Sequence, residues 1–451
     1  MSGGADSAAL LLAMHALREQ GSSMVGAKLA VEAVHVNHGL QDDALLWQSR
    51  CEQLCARLGV LLHTREVDAR ALAGEGPEAA ARAARYDAFA SLMRPGDILW
   101  CAHHRDDQVE TLLLALLRGS GPRGLAGMAQ WKAFATGWLF RPLLPLSRAE
   151  LRGAVAEAGF EPVVDPSNAD SRYKRSALRQ TVLPALEACS PGAAATLARA
   201  ARHQAEAAAL LDALGRADCG YATSGSGAGG PGSRCPSTPS SLPLDRLDKL
   251  GVVRARNALR VWIGDLDLPV PGARVFDTAM VQLLDAKPDA MPVVRWRGAE
   301  LRRYRGEVWA SRPLGHHDPK RLFDWPSAAQ GASLDVGSGI VSLQAGDPPG
   351  SGQSRLLDRE RVASSRVQLG FRRGGESCRP SGAAHRRSLK HLLRERAVAP
   401  WLRDRLPLVY LDGELAAVGD LLVCHGFEAV AGGSGLAVRW RPENTSDACR
   451  R

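Results

Sequence analysis

The run SGGADS, from Ser2 to Ser7, constrains the fold of this chain more than any other segment. Gly3 and Gly4 let backbone amides come close to a ligand, and the apolar stretch that follows, Ala8–Leu17, has a helical pattern. Free N–H groups and the positive end of the helix dipole make a helix N-terminus a binding site for phosphates. The run therefore predicts a phosphate-binding loop, with a Gly/Ser turn that only caps a helix as the alternative.

The Walker pattern, in which Lys directly precedes Ser or Thr, is missing from this run. We therefore expect the loop to bind the inner phosphates of a nucleotide in an adenylation reaction that releases pyrophosphate. A loop of this kind normally follows a buried parallel strand, whereas only Met1 precedes it here. We expect either a start codon placed too late or a form impaired in ATP binding.

Helical stretches alternate with short apolar runs as far as about residue 186, and strands are predicted at 31–36, 58–63 and 97–102. This alternation predicts an α/β domain with a doubly wound parallel sheet. In such sheets, ligands bind beyond the carboxyl ends of the strands. The polar segments HVNHGL (35–40) and AHHRDDQVET (102–111) fall at these ends.

The second of these segments carries the densest cluster of candidate catalytic groups. His103, Asp106, Asp107 and Glu110 are three or four residues apart, so a helix would place an imidazole and carboxylates on one face. Carboxylates beside a nucleotide loop can hold Mg²⁺ or an ammonium group. The alternative is a helix N-terminus whose acidic residues favour the dipole. Zinc ligation by His103 and His104 is not favoured, because neighbouring side chains on a helix diverge.

Beyond a first domain at 1–186, the sequence predicts two more. The middle domain, 187–330, is expected to be small and mostly helical, with a disordered Gly/Ser/Pro-rich insertion near 215–241. A small α+β domain at 355–441 completes the chain. Within it, residues 369–405 hold ten Lys and Arg against three Asp and Glu, which favours contact with a nucleic-acid backbone over a generic basic surface.

Composition narrows the class of protein further. The formal net charge of +9 fits a polyanionic partner or a solvated basic face. Nine irregularly spaced cysteines without a CxxC pair argue against a disulfide framework and a structural zinc site. The sequence shows no targeting segment and no apolar run long enough to span a membrane, so we expect a cytoplasmic protein.

Taken in order, these segments resemble the tRNA(Ile)-lysidine synthetase family of N-type ATP pyrophosphatases over nearly the whole chain. Gln41 departs from the family, which has Arg after HGL. The segments similar to its catalytic domain are SGGADS, HVNHGL, ARAARY (81–86), AHHRDDQVET, RGSGPRGLAGM (118–128) and DPSN (165–168), and those similar to its C-terminal domain are LGFRRGGE (369–376) and LKHLLRE (389–395).

The resemblance implies a PP-loop enzyme that uses ATP and Mg²⁺ to adenylate the C2 oxygen of the wobble cytidine in the CAU anticodon of tRNA(Ile). L-Lysine then displaces AMP to give lysidine, and the assembly is a monomer or a homodimer. The implied catalytic residues are Asp6, His103, Asp107, Glu110 and Arg179; the nucleotide-binding residues are Ser2, Gly3, Gly4, Ala5, Asp6, Ser7, His38, Arg82 and Gly119; Asp6 and Asp107 are the implied magnesium ligands.

Three other functions compete with this one. A tRNA 2-thiolation enzyme would share the loop but carry paired CxxC cysteines for an iron–sulfur cluster. An amidotransferase-like ligase acting on a small metabolite would not need the basic C-terminal domain. A catalytically impaired tRNA-binding paralogue, or a truncated product, follows if the strand ahead of the loop is absent. An in-frame apolar strand encoded upstream of Met1 would favour the enzyme.

Overall fold

The computed structural model describes residues 1–21, 30–37, 44–67, 77–163, 174–221, 238–287, 290–326, 328, 331–346, 356–430 and 435–442. The chain forms two compact units, one built from Met1–Leu214 and the other from the described residues that follow. None of the helices in these ranges combines the length and the apolar character needed to cross a membrane.

In the first unit, helices alternate with strands. The helices are α1 (Ala5–Gly21), α2 (Ala44–Leu58), α3 (Pro77–Leu92), α4 (Arg105–Leu116), α5 (Pro122–Leu125), α6 (Arg148–Glu157), α7 (Lys174–Ala177), α8 (Leu183–Cys189) and α9 (Ala193–Cys219), with a π-helical turn, Leu178–Val182, between α7 and α8. The end of α9, from Gly215 onward, belongs to the second unit. The strands are β1 (Glu32–Asn37), β2 (Leu61–Glu66), β3 (Ile98–Trp100), β4 (Trp131–Phe134) and β5 (Gly137–Phe140).

The predicted α/β fold of this unit is confirmed. Strand β1 pairs in parallel with β2, and β3 pairs in parallel with β5, while β4 adds an antiparallel edge. Strand β2 begins later than predicted, because α2 continues to Leu58 and Gly59 then turns the chain with a φ of +60°. The core of the unit contains Ala8, Leu54 and Val155 from helices α1, α2 and α6.

The second unit begins with three helices and a four-stranded antiparallel sheet in the order β6-β9-β8-β7. Trp262 and Phe276 lie in the core of this part, each with at most 1% of its surface exposed. The elements are α10 (Leu244–Lys249), α11 (Val252–Asp265), α12 (Ala273–Leu284), β6 (Ser241–Pro243), β7 (Val293–Trp296), β8 (Ala299–Tyr304) and β9 (Glu307–Ser311).

The C-terminal part mixes short helices with three sheets, as the predicted α+β class requires. The sheets have the orders β10-β14-β17-β18-β19, β11-β12-β20-β13 and β15-β16. The elements are α13 (Arg359–Ser364), α14 (Leu389–Glu395), α15 (Pro400–Arg403), β10 (Phe323–Asp324), β11 (Ser333–Asp335), β12 (Gly339–Gly346), β13 (Leu356–Asp358), β14 (Val367–Gly370), β15 (Ser377–Cys378), β16 (Arg387–Ser388), β17 (Leu408–Leu411), β18 (Glu414–Val418), β19 (Leu422–Val423) and β20 (Gly435–Pro442).

The predicted disordered insertion at 215–241 starts too early, because α9 runs on to Cys219. Gly215 lies against α11, where a Cβ on it would come within 2.5 Å of Val261 Cγ2. This glycine therefore serves the close approach of two helices and does not mark a linker. Arg216 fastens the same end of α9 to Asp265 at 2.7 Å. At the other end of the predicted insertion, Ser241 already begins β6. Residues 222–237 lie outside the described residues.

Candidate functional site

The loop ahead of α1 is held in a tight turn by its own polar groups. Gly3 has a φ of +79°, which side-chain-bearing residues rarely adopt, and its carbonyl accepts a 2.9 Å hydrogen bond from Val163 N. Ser7 Oγ donates to Gly4 O at 3.0 Å and accepts from Ser2 N at 3.2 Å. The first N–H groups of a helix have no intrahelical acceptor, so the loop offers amide donors to an anion.

Three carboxylates surround one buried imidazole beside this loop. His104 Nε2 lies 3.5 Å from Asp6 Oδ2 on α1 and 3.5 Å from Asp107 Oδ2 on α4, and Nδ1 lies 3.5 Å from Asp106 Oδ2. Only 1% of the His104 surface is exposed. Asp106 Oδ2 also accepts a 2.9 Å hydrogen bond from Arg148 N, the first residue of α6. The cluster therefore joins α1, α4 and α6.

The charges in this cluster stabilise one another. Burial disfavours the imidazolium, but the carboxylates of Asp106, Asp6 and Asp107 outweigh burial and raise the pKa of His104 to about 9. The contact with His104 in turn lowers the pKa of Asp106 to about 2. Burial opposes ionisation of Asp6, yet His104 brings the pKa of that carboxyl below its ordinary value. At neutral pH, His104 is thus a cation that ties the loop to α4.

The sequence analysis weighed His104 only as a zinc ligand and missed this role. The local signal was the spacing between His104 and Asp107 at the start of a predicted helix. Asp107 Oδ2 accepts a 3.1 Å hydrogen bond from His104 N, which is the backbone half of a capping box. Within the described ranges, no group of three or more His, Cys, Asp or Glu side chains is arranged as a metal site.

A second ion pair lies next to this cluster. Arg179, on the π-helical turn, donates from Nε to Glu110 Oε1 at 2.7 Å, and its Nη2 lies 3.7 Å from Asp107 Oδ1. Glu110 has no exposed surface, and its Oε2 has no hydrogen-bond partner among the described residues. Burial raises the pKa of Glu110, and Arg179 opposes that shift. The site thus keeps one buried carboxylate oxygen for a further donor.

His103 faces cations instead of carboxylates. Its Nδ1 accepts a 3.3 Å hydrogen bond from Arg141 Nε. Burial, together with the charges of Arg141, Arg82 and Arg175, lowers the pKa of His103 to about 3. Neighbouring histidines on the chain are therefore in opposite states at neutral pH, with His103 neutral and His104 charged.

The structure brings most of the predicted site residues together. Asp6, Asp107, Glu110 and Arg179 form a continuous chain of contacts through His104. Arg82, on α3, acts electrostatically on His103 and donates to Tyr86 Oη at 3.4 Å. Two predicted residues lie apart from these contacts: Ala5 begins α1, and Gly119 follows α4 with a φ of +66°. His38, like Gln41, lies outside the described residues.

Three models of known domain families match parts of this chain. The PP-loop domain profile matches residues 1–186, that of the TilS substrate binding domain matches residues 242–309, and that of the TilS substrate C-terminal domain matches residues 367–440.

Three curated relatives, each named tRNA(Ile)-lysidine synthase, match nearly end to end. The protein of Methylococcus capsulatus is 36% identical over 98% of this chain and 95% of its own length. That of Alkalilimnicola ehrlichii is 38% identical over 96% and 91%. That of Pseudomonas putida is 38% identical over 93% and 91%.

Proposed function

This chain belongs to the tRNA(Ile)-lysidine synthase family, and we propose that it ligates L-lysine to C2 of the wobble cytidine in the CAU anticodon of tRNA(Ile). It is an enzyme that uses ATP and acts on tRNA, as its PP-loop domain and its relatives' shared name indicate. The observation that carries the proposed chemistry is the joined set of Asp6, His104, Asp107, Arg179 and Glu110 behind the phosphate loop.

Two coupled steps account for the chemistry. The C2 oxygen of cytidine attacks the α-phosphorus of ATP, and the bond from that phosphorus to pyrophosphate breaks. The ε-amine of lysine then attacks C2, the C2–O bond breaks, and AMP leaves with the oxygen. The amine loses its proton in this step. A cytosine carbonyl is a poor electrophile, so the reaction depends on activation of this group by ATP. Alignment of the cytidine, the nucleotide and the lysine in the site then accelerates both steps.

The loop supports the first step. The amides of Gly3 and Gly4, with those that begin α1, suit the pyrophosphate group, and Ser2 and Ser7 close the turn around it. His104 fixes Asp6 against this turn, so the loop and α4 act as one surface. The backbone amides of the loop are therefore positioned in advance to stabilise the negative charge that develops on the phosphates.

The carboxylates fit a magnesium ion. Asp6 Oδ1 is buried and has no hydrogen-bond partner in the described part of the chain. Carboxylate oxygens are hard ligands of the kind that Mg²⁺ prefers, and Mg²⁺ is commonly bound by one or two of them together with substrate phosphates. Asp6 and Asp107 are the residues that would hold it. The ion would neutralise charge on the phosphates.

The Glu110–Arg179 pair supports lysine binding. An ammonium group needs acceptors, and the unpartnered Glu110 Oε2 supplies a charged one in a buried setting. Arg179 balances the charge of Glu110 before lysine arrives and holds the carboxylate in one orientation. This pair is the part of the site that selects an amine nucleophile.

Helix α14 supports tRNA binding by the C-terminal domain. Its apolar residues, Leu389, Leu392 and Leu393, are at most 1% exposed, which anchors the helix in the core. Lys390 and Arg394 are exposed on the same helix. Exposed cations on a rigid element suit the RNA backbone. A homodimer remains a prediction.

The test is an assay of lysine transfer with the full chain. The protein is incubated with ATP, Mg²⁺, radiolabelled lysine and a tRNA(Ile) transcript bearing CAU, with a GAU transcript as the matched control. We expect label in the CAU transcript alone, with AMP and pyrophosphate released in equal amounts. Binding of the CAU transcript without label would instead support a tRNA-binding paralogue.

A further inference from the structure

Arg141 and His103 meet at one edge of a sheet. Strand β3 pairs in parallel with β5, with Trp100 opposite Phe140. Cys101 N donates to Phe140 O at 2.9 Å, so the two chains stay side by side as they leave the sheet. Arg141 directly follows β5 and is 5% exposed. The topology thus places its guanidinium beside the segment that begins α4.

The hydrogen bond between these residues fixes where the imidazole carries its proton. A guanidinium has five N–H donors and no acceptor. Because Arg141 Nε points to His103 Nδ1 at 3.3 Å, Nδ1 must present a lone pair. A neutral imidazole with a free Nδ1 carries its proton on Nε2. The ring therefore offers an N–H donor on the side away from Arg141.

Arg141 is itself held in place. Its Nη1 donates to Ala129 O at 2.6 Å, and its backbone N donates to Gln130 O at 2.9 Å. The same loop is fastened to α4 by Gln108, whose Oε1 accepts from Met128 N at 2.7 Å and whose Nε2 donates to Met128 O at 3.1 Å. The guanidinium is thus positioned before any substrate binds.

We infer that Arg141 is a positioning residue that keeps His103 in the Nε2–H form, so that His103 donates a hydrogen bond to a phosphate oxygen of the nucleotide. The next residue, His104, contacts Asp6 in the first turn of α1, which follows the loop proposed to bind the phosphates. His103 therefore lies just ahead of α4, beside that proposed phosphate site. Nδ1 is occupied by a donor, so His103 does not accept the proton of the lysine amine at that atom. This inference rests on the proposed function and adds to it the residue that sets the state of His103.

Nitrogen-15 NMR of the histidine-labelled full chain tests the inference without any reaction. The signal of His103 is assigned by its loss in His103→Asn. We expect Nδ1 to show the shift of an unprotonated nitrogen throughout about pH 5 to 8, where an ordinary histidine titrates. Addition of a non-hydrolysable ATP analogue with Mg²⁺ should move the Nε2–H resonance. A protonated Nδ1 in the wild-type protein, or no movement with the analogue, overturns the inference.

Substitutions separate positioning from mere packing. In Arg141→Met, His103 should begin to titrate within that pH range, and kcat/KM for ATP should fall about 10- to 100-fold, as for other partners that orient a functional histidine. Arg105→Met is the matched control, because Arg105 lies near His103 in the chain but donates to Pro145 O and Glu150 Oε2 instead. Its His103 should titrate as in the wild-type protein. Identical titration in wild type and Arg141→Met would refute the inference, even in a chain that failed to transfer lysine.

Discussion

Arg179 reaches across 69 positions of the chain to donate a 2.7 Å hydrogen bond to Glu110, a carboxylate with no exposed surface. A buried charge is costly unless it is paired, so this contact makes each residue depend on the other. It also leaves one oxygen of Glu110 without a partner among the described residues. Glu110 can therefore accept one further hydrogen bond through this oxygen.

Glu110→Gln should weaken lysine binding while leaving adenylation largely intact. The amide keeps the shape of the side chain but loses the charge that an ammonium group needs. We expect KM for lysine to rise roughly 10- to 150-fold, which corresponds to about 1.5–3 kcal/mol for a hydrogen bond to a charged group. Lysine-dependent label transfer gives KM, and pyrophosphate release with tRNA and ATP alone reports adenylation.

Glu206→Gln provides the matched control for this substitution. Glu206 lies on α9, is largely exposed and faces Arg202 at 4.0 Å. Exposed pairs of this kind contribute little to stability, so both readouts should remain at wild-type values. Equal loss of adenylation and lysine binding in Glu110→Gln would contradict the assignment and make the pair structural.

Asp6→Ala should abolish pyrophosphate release and spare tRNA binding. The substitution removes the carboxylate that faces His104 and the buried oxygen that suits Mg²⁺. A loss of at least about 100-fold in rate is expected from removal of one preorganised electrostatic contact. Pyrophosphate release and filter binding of tRNA measure the two effects. A parallel loss of tRNA affinity would show that the loop has only a structural role.

The carboxylate cluster around His104 should make stability depend on pH in the alkaline range. The pKa of His104 rises from an ordinary 6.5 to about 9, so its contribution is complete below about pH 6.5 and is lost as the pH rises towards 9. The pKa of Asp106 falls from 3.8 to about 2, so its contribution is complete above about pH 4 and is lost in acid. Urea unfolding of wild type and His104→Gln should show a difference at pH 6 that shrinks by pH 9.5. A constant difference would mean that His104 is not charged.

Gly127→Ala should destabilise the first unit. Gly127 has a φ of +65°, and a Cβ there would lie 2.7 Å from Gln108 Oε1, the group that fastens the loop to α4. Strain and displacement of Gln108 should together cost about 1–3 kcal/mol. Gly153→Ala is the matched control, because it lies inside α6 with nothing near its Cβ and should stabilise by about 0.5–1 kcal/mol. Denaturant midpoints of both variants, compared with that of the wild-type protein, measure the two changes in stability.

Local patterns predicted the elements of this protein well. The small residues of SGGADS and the apolar stretch behind them sufficed for the loop and α1, because turn chemistry and helix periodicity act over a few residues. The same holds for β1 and for α14. Gly215 misled the prediction for a physical reason: its packing against Val261 is a contact between helices, which composition does not encode.

Contacts between side chains that are far apart in the sequence could not be predicted from such local patterns. The sequence singled out His103, Asp107 and Glu110 by their spacing, but it gave no sign that Arg141 faces His103 or that Arg179 faces Glu110. Those pairings arise from parallel strands and from a π-helical turn far along the chain. Opposite ionisation of two adjacent histidines follows from these neighbours and from no property of the residues themselves.

In the proposed function, helix α14 separates the residues that stabilise the fold from those that contact RNA. Its leucines are buried in the core, whereas Lys390 and Arg394 are exposed on the surface of the helix. Substitution of a single exposed cation can therefore change the affinity of this domain for a polyanion and the dependence of that affinity on ionic strength. Such a substitution disturbs the hydrophobic core beneath the helix very little.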